Sequence, residues 1–237
     1  MSATAASPAS YEALYEIGSH KLVSYPRSSI ATLALRWKAF GPLSDCVEVA
    51  VDPKDPNSTR RPFITGTMLD TIADESLTEP PISSITVVQE QLNDAPQYFV
   101  DEHIPHADDD NPAVEWRPAK PPHHGDRENK LLMQCCGEQR PRGSPRLTIN
   151  ASSKAFVTIG DFVLAVHPWL QTLKDEIVAV IGEHLGRISG DTPFYVFPDY
   201  LDCLALTWDQ APPTLSVEST WQALAKKAQY SEDHPLH

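Results

Sequence analysis

The run Glu102-His103-Ile104-Pro105-His106-Ala107-Asp108-Asp109-Asp110 packs imidazoles and carboxylates into nine residues. These are donor types that a divalent ion takes. Held on a rigid frame, His103, His106 and the neighbouring aspartates would lower the pKa of a bound water. They would thereby supply a hydroxide nucleophile at neutral pH, the chemistry of a metal-assisted hydrolase. Asp108-x-Asp110 also fits the acidic pair with which some nucleotide-sugar enzymes hold a metal. Against both, Pro105 rules out a regular helix that presents the two histidines on one face. An ion also needs about three or four ligands with outer support, and a solvated acidic loop accounts for the same residues without one. The sequence therefore assigns no metal ligand and no cofactor.

His123-His124-Gly125-Asp126 offers ligands or a general base near neutrality, but Pro121 and Pro122 beside it mark a surface loop. His167 and His184 fall in a helical stretch with no visible nucleophile partner, and are expected as packed or boundary histidines. The cysteines Cys46, Cys135, Cys136 and Cys203 show no C-x-x-C spacing. Adjacent Cys135 and Cys136 do not readily pair with each other. Buried, reduced thiols behaving as small apolar residues are expected, although Cys135-Cys136 with a distant histidine meets the loosest thiol-nucleophile template. G-x-G-x-x-G, the P-loop, G-x-S-x-G, H-E-x-x-H and the calcium loop are all missing. Catalytic residues are left unassigned, and the balance leans away from an enzyme.

The strongest positional signal runs from Arg146 to Leu185. Arg146–Asn150 alternates as a half-buried strand. Thr158 and Asp161, three apart, make a helix start. Phe162, Val166, Leu170, Leu173, Ile177, Ile181 and Leu185 then recur at steps of three and four, with Pro168 predicting a kink and Gly186 a stop. Strands are expected at 33–40 and 46–51 as a hairpin around Gly41-Pro42, then at 85–88, 98–100, 130–136, 194–197 and 203–208. Lys130–Cys136 is expected to pair with Arg146–Asn150. Short helices are expected at 11–17, around Met68–Ile72, and along the stripe Val217, Trp221, Leu224, Ala228.

The 22 prolines against 10 glycines imply long irregular connections. Net charge is −13, and twelve acidic residues lie between Arg61 and Arg117 with no lysine or arginine among them. A basic stretch from Arg117 to Lys154 follows, lacking interleaved aromatics. The acidic balance disfavours nucleic acid. No apolar run reaches the roughly 20 residues of a membrane helix, so cytoplasm or nucleus is expected. Without a secretory route, Asn57-Ser58-Thr59 and Asn150-Ala151-Ser152 are chance glycosylation matches.

Arg146-Leu147-Thr148-Ile149, Phe156 to Val163 and His167-Pro168-Trp169-Leu170 resemble a group of uncharacterised fungal proteins. In that group a strand, a "V-T-[IV]-x-D" step and a helix recur. The similarity covers about Leu147 to Trp208, with Arg36-Trp37 matching an upstream strand. It implies a soluble fungal domain of unknown function and brings no site residue.

The fold expected is α+β, a mainly antiparallel sheet with one long kinked amphipathic helix packed on it; a β-sandwich or barrel with a helical lid is the alternative. Residues 1–10 are expected as a disordered tail and 11–210 as a single domain with a long exposed loop at about 104–129. Residues 211–237 would form an extension with a short helix. The function expected is a non-enzymatic interaction or adaptor protein with a protein partner, no nucleic acid and no membrane. The competing reading is the metal-assisted hydrolase or a small-molecule-binding enzyme.

Overall fold

The structure, a computed structural model, describes residues 8–14, 25–120, 125–127, 129–185, 192–208 and 216–234, with the backbone alone at 184–185. It is α+β. Five strands, β1 (Leu35–Lys38), β2 (Val47–Ala50), β3 (Arg60–Pro62), β9 (Phe194–Val196) and β11 (Leu206–Trp208), form an antiparallel sheet in the order β11-β9-β1-β2-β3. A second sheet sets β4 (Ser84–Gln89) between antiparallel β8 (Leu147–Asn150) and parallel β10 (Cys203–Leu204). A third is an antiparallel meander of β5 (Glu115–Pro118), β6 (Lys130–Cys135) and β7 (Glu138–Gln139). Among the described residues no set of strands closes into a barrel.

Helix α1 (Glu90–His103) precedes the meander, α2 (Ile159–Leu185) follows β8, and α3 (Val217–Asp233) ends the described chain. The start of α2 is reciprocal capping. Asp161 N donates to Thr158 Oγ1 and Thr158 N donates to Asp161 Oδ2, each at 3.0 Å, so two otherwise orphaned donors are satisfied. The helix runs continuously through Pro168. The carbonyl that proline leaves without a partner belongs to Leu164, 45% exposed, where water can take the bond.

Phe162, Val166, Leu170, Leu173, Ile177 and Ile181 are buried in one core with Trp37, Val47, Ile85 and Ile149, so α2 faces two sheets. Trp37 meets Phe162 edge-on at 6.2 Å between ring centroids. Each such side chain contributes about 1.5–3 kcal/mol by leaving water. Helix α3 buries Trp221, Leu224 and Ala228 against Leu33, following its apolar stripe.

Several local expectations are corrected. Residues 98–100 lie in helix α1, not a strand. Leu92, Ala95, Phe99 and His103 are buried at steps of three and four, and Gln89 caps the helix through its side chain, 2.8 Å from Leu92 N. Strand β6 pairs with β5 and β7 rather than with 146–150, because Cys136-Gly137 turns the chain back at once. Around Met68 there is a two-strand hairpin, Ile64–Thr65 with Met68–Leu69, turning at Gly66 with φ 64, before a 3-10 turn at Thr71–Asp74. Inside the stretch read as a loop, 104–129, lie the 3-10 turn Ile104–His106 and strand β5. Residues 1–7, 15–18 and Gly186 lie outside the described residues.

Candidate metal centre

The end of α1 brings the two histidines together by the proline that seemed to forbid it. The helix stops at His103 and continues as the 3-10 turn Ile104–His106, with Pro105 in its first positions, where no N–H is needed. A 3-10 turn has about three residues per turn, so side chains three apart eclipse. His103 and His106 therefore share one side, with ring centroids 5.4 Å apart and Nδ1 of His103 3.4 Å from Nε2 of His106.

The cysteines come from the β6–β7 hairpin. Cys135 pairs with Glu138, leaving Cys136-Gly137 as a two-residue turn with φ 54 and 87. Positive φ at both positions is the type I′ signature, whose first place favours Asn, Asp or Gly. A cysteine there carries backbone strain that a turn alone does not call for. It sets Cys136 Sγ 3.7 Å from Cys135 Sγ and 3.1 Å from His106 Nε2.

One donor atom from each of His103, His106, Cys135 and Cys136 lies within 4.8 Å of all the others. A tetrahedral zinc with bonds of about 2.0–2.1 Å to nitrogen and about 2.3 Å to sulfur has edges of about 3.3 Å (N to N), 3.5 Å (N to S) and 3.8 Å (S to S). Of the six separations here, His103 to His106 is 3.4 Å, His106 to Cys136 3.1 Å and Cys135 to Cys136 3.7 Å. Behind His103, the carboxylate of Glu138 sits 3.2 Å from Nε2. With Nε2–H donating to Glu138, the Nδ1 lone pair is free to point into the cluster, the arrangement that orients metal-bound histidines. His103 and Cys135 are buried, His106 and Cys136 exposed. Burial, then the neighbouring Cys136 thiol, pushes the Cys135 thiol up.

The frame around the cluster is small. Phe99, Val100, Ala107, Leu132 and Cys135 form a core separate from the main one, with Trp116 against it. Phe99 packs on the His103 ring at 4.4 Å. On the far side Asp126 accepts from Leu132 N at 2.7 Å and pairs with Arg140, pinning β6. Among the described residues this cluster has five buried side chains, and small cores are where folds use a metal or disulfide staple.

Of the residues singled out in sequence, the structure unites His103 and His106 with Cys135 and Cys136, which had been read separately. Asp108, Asp109 and Asp110 stay outside and exposed, Asp109 pairing with Lys130 at 3.1 Å. His123 and His124, and the side chain of His184, lie outside the described residues. His167 is a core histidine: Trp37 Nε1 donates to its Nδ1 at 3.1 Å and its Nε2 donates to Gly41 O at 2.8 Å. Cys46 donates to Phe40 O, and Cys203, pushed up to about 11 by burial and then by Glu90 and two aspartates, is an inert thiol. Glu138 was missed altogether, for its role depends on a cross-strand position. The available signal was a pair of donors on each of two turns, H-x-x-H across a proline and C-C before a glycine.

Among the described residues no helix is long and apolar enough to cross a membrane. Comparison with protein-family models, curated proteins and solved structures finds no match to the chain.

Proposed function

We propose that the protein is a zinc-binding, non-catalytic interaction protein in which His103, His106, Cys135 and Cys136 bind one ion. The ion staples the β5–β7 meander to the end of α1. The observation that carries this reading is the approach of four nitrogen and sulfur donors to within 4.8 Å of one another, three of their separations near tetrahedral edges, with Glu138 behind His103. Sulfur and imidazole donors favour zinc over calcium or magnesium, which take oxygen. Four protein ligands leave no position for a water, so the set supports a structural ion over a hydrolase. Four free cysteines suit a reducing compartment, cytoplasm or nucleus.

Elemental analysis of protein purified without a histidine tag tests it. One zinc per chain is expected, lost in Cys135→Ser with Cys136→Ser, and chelation should lower the melting temperature of the parent alone. Metal-free parent protein that gains no thermal stability with zinc would overturn the reading.

A further inference from the structure

A cavity of about 810 Å³ adjoins the metal centre. It lies between α1, α2 and the segment that follows β7. Phe99 and Val180 give it apolar lining, and among its described lining residues Glu102, Glu138, Glu176 and Glu183 stand with one arginine, Arg142, and with His103. On α2, Glu176, Val180 and Glu183 are four and three apart and so share one face, distinct from the core stripe at 173, 177 and 181. Among the described residues no lysine, arginine or histidine lies within ion-pair distance of Glu102, Glu176 or Glu183. Two largely buried acids elsewhere are answered, Asp126 by Arg140 and Asp199 by Lys227. Uncompensated carboxylates around an apolar floor are complementary to a cationic amphipathic ligand.

We propose that this cleft docks a basic, amphipathic segment of a protein partner, its apolar side chains on Phe99 and Val180 and its lysines or arginines against Glu102, Glu176 and Glu183. This deepens the interaction reading and rests on the metal only through Glu138, which His103 holds at the cleft wall.

The probe is a fluorescein-labelled peptide of leucine and lysine in helical alternation, with a counter-probe in which glutamate replaces lysine. Fluorescence anisotropy is read at physiological salt, on protein whose zinc content is measured in the same sample. The lysine peptide should bind and the glutamate peptide should not. Glu176→Lys with Glu183→Lys should weaken the lysine peptide at least tenfold and bring in the glutamate peptide. Glu75→Lys with Glu218→Lys carries the same charge change away from the cleft and should leave affinity within about twofold. An equal loss in both double variants would reduce the effect to net charge and overturn the proposal. So would zinc-loaded parent protein that ignores the lysine peptide. A metal-free preparation that gains no thermal stability with zinc, yet in which the charge swap still reverses peptide preference, would overturn the zinc reading while leaving the docking cleft standing.

Discussion

Cys136→Asn separates a turn residue from a metal ligand by the sign of its effect. Cys136 holds φ 54 at the first position of the two-residue turn. A side chain in that region costs about 1–2 kcal/mol unless it is one, such as Asn, that bonds locally. Asn-Gly is the favoured type I′ pair, so in chelator the variant should be more stable than the parent by about 0.5–1 kcal/mol. For a chain of 237 residues that is a rise in Tm of about 1–4 °C. With zinc the order should invert. At free zinc a thousandfold above Kd a bound ion adds about 4 kcal/mol to the parent. Asparagine cannot replace a thiolate, so most of that term is lost, and the net change is about 3 kcal/mol against the variant. Urea denaturation followed by circular dichroism, with chelator and with buffered zinc, reads both signs. A variant stabilised in both media would refute the ligand role of Cys136, and one destabilised in both would refute the argument from backbone strain.

Glu138→Gln keeps an acceptor near His103 Nε2 but removes its charge, so zinc affinity in a dye competition should fall about 10–100-fold while the zinc-saturated fold is retained. An affinity equal to the parent's would remove Glu138 from the centre. Leu173→Asp and Ile177→Asp each replace a buried side chain in the core and should cost about 3–5 kcal/mol or more, leaving little soluble folded protein. Lys174→Ala, whose ammonium lies 5.7 Å over the Phe40 ring, should cost only about 0.5 kcal/mol by thermal melting. The Arg61 guanidinium, and after it Ile72 N, hold the Asp70 carboxyl below its ordinary range. Its stabilisation is therefore fully present above the unfolded value, about 3.9, and is lost as pH falls through the lower folded value. Arg61 is partly exposed, so the gap between parent and Asp70→Asn at neutral pH should be roughly 0.5–1 kcal/mol and close on acidification; a pH-independent gap would contradict the pairing.

The parts of the fold legible in the sequence are those in which one element's own period decides the outcome. The stripe from Phe162 to Ile181 and the Thr158–Asp161 start are local, and the structure buries and bonds them accordingly. The hairpin of β1 and β2 survives a one-turn helix, Leu43–Cys46, between its strands. Helix α1 was hidden because Pro96 sits within it and Tyr98-Phe99-Val100 is a β-prone triplet. Its buried positions, Leu92, Ala95, Phe99 and His103, carry the 3.6 period that settles the conformation. Strand pairing was the least legible. Whether β6 adds to β8 or folds back on β7 depends on a left-handed cysteine that composition does not favour there.

The centre was half legible for the same reason. Each donor pair is set by a turn of a few residues, but their meeting is tertiary and leaves no spacing rule, since about thirty residues separate His106 from Cys135 in a chain whose loop closure cost grows only slowly with length. Pro105 illustrates how a correct local rule leaves the outcome open. It does end the α-helix, and by ending it there it forces the tighter turn on which residues three apart coincide. Cys136 shows the converse. Its dihedral is unfavourable for a cysteine serving only as a turn residue, the kind of outlier that points to a role for the sulfur beyond the turn. Four donors within 4.8 Å of one another, beside a core of five buried residues among those described, thus link the two features: the strained turn and the broken helix bring their donors to the same place.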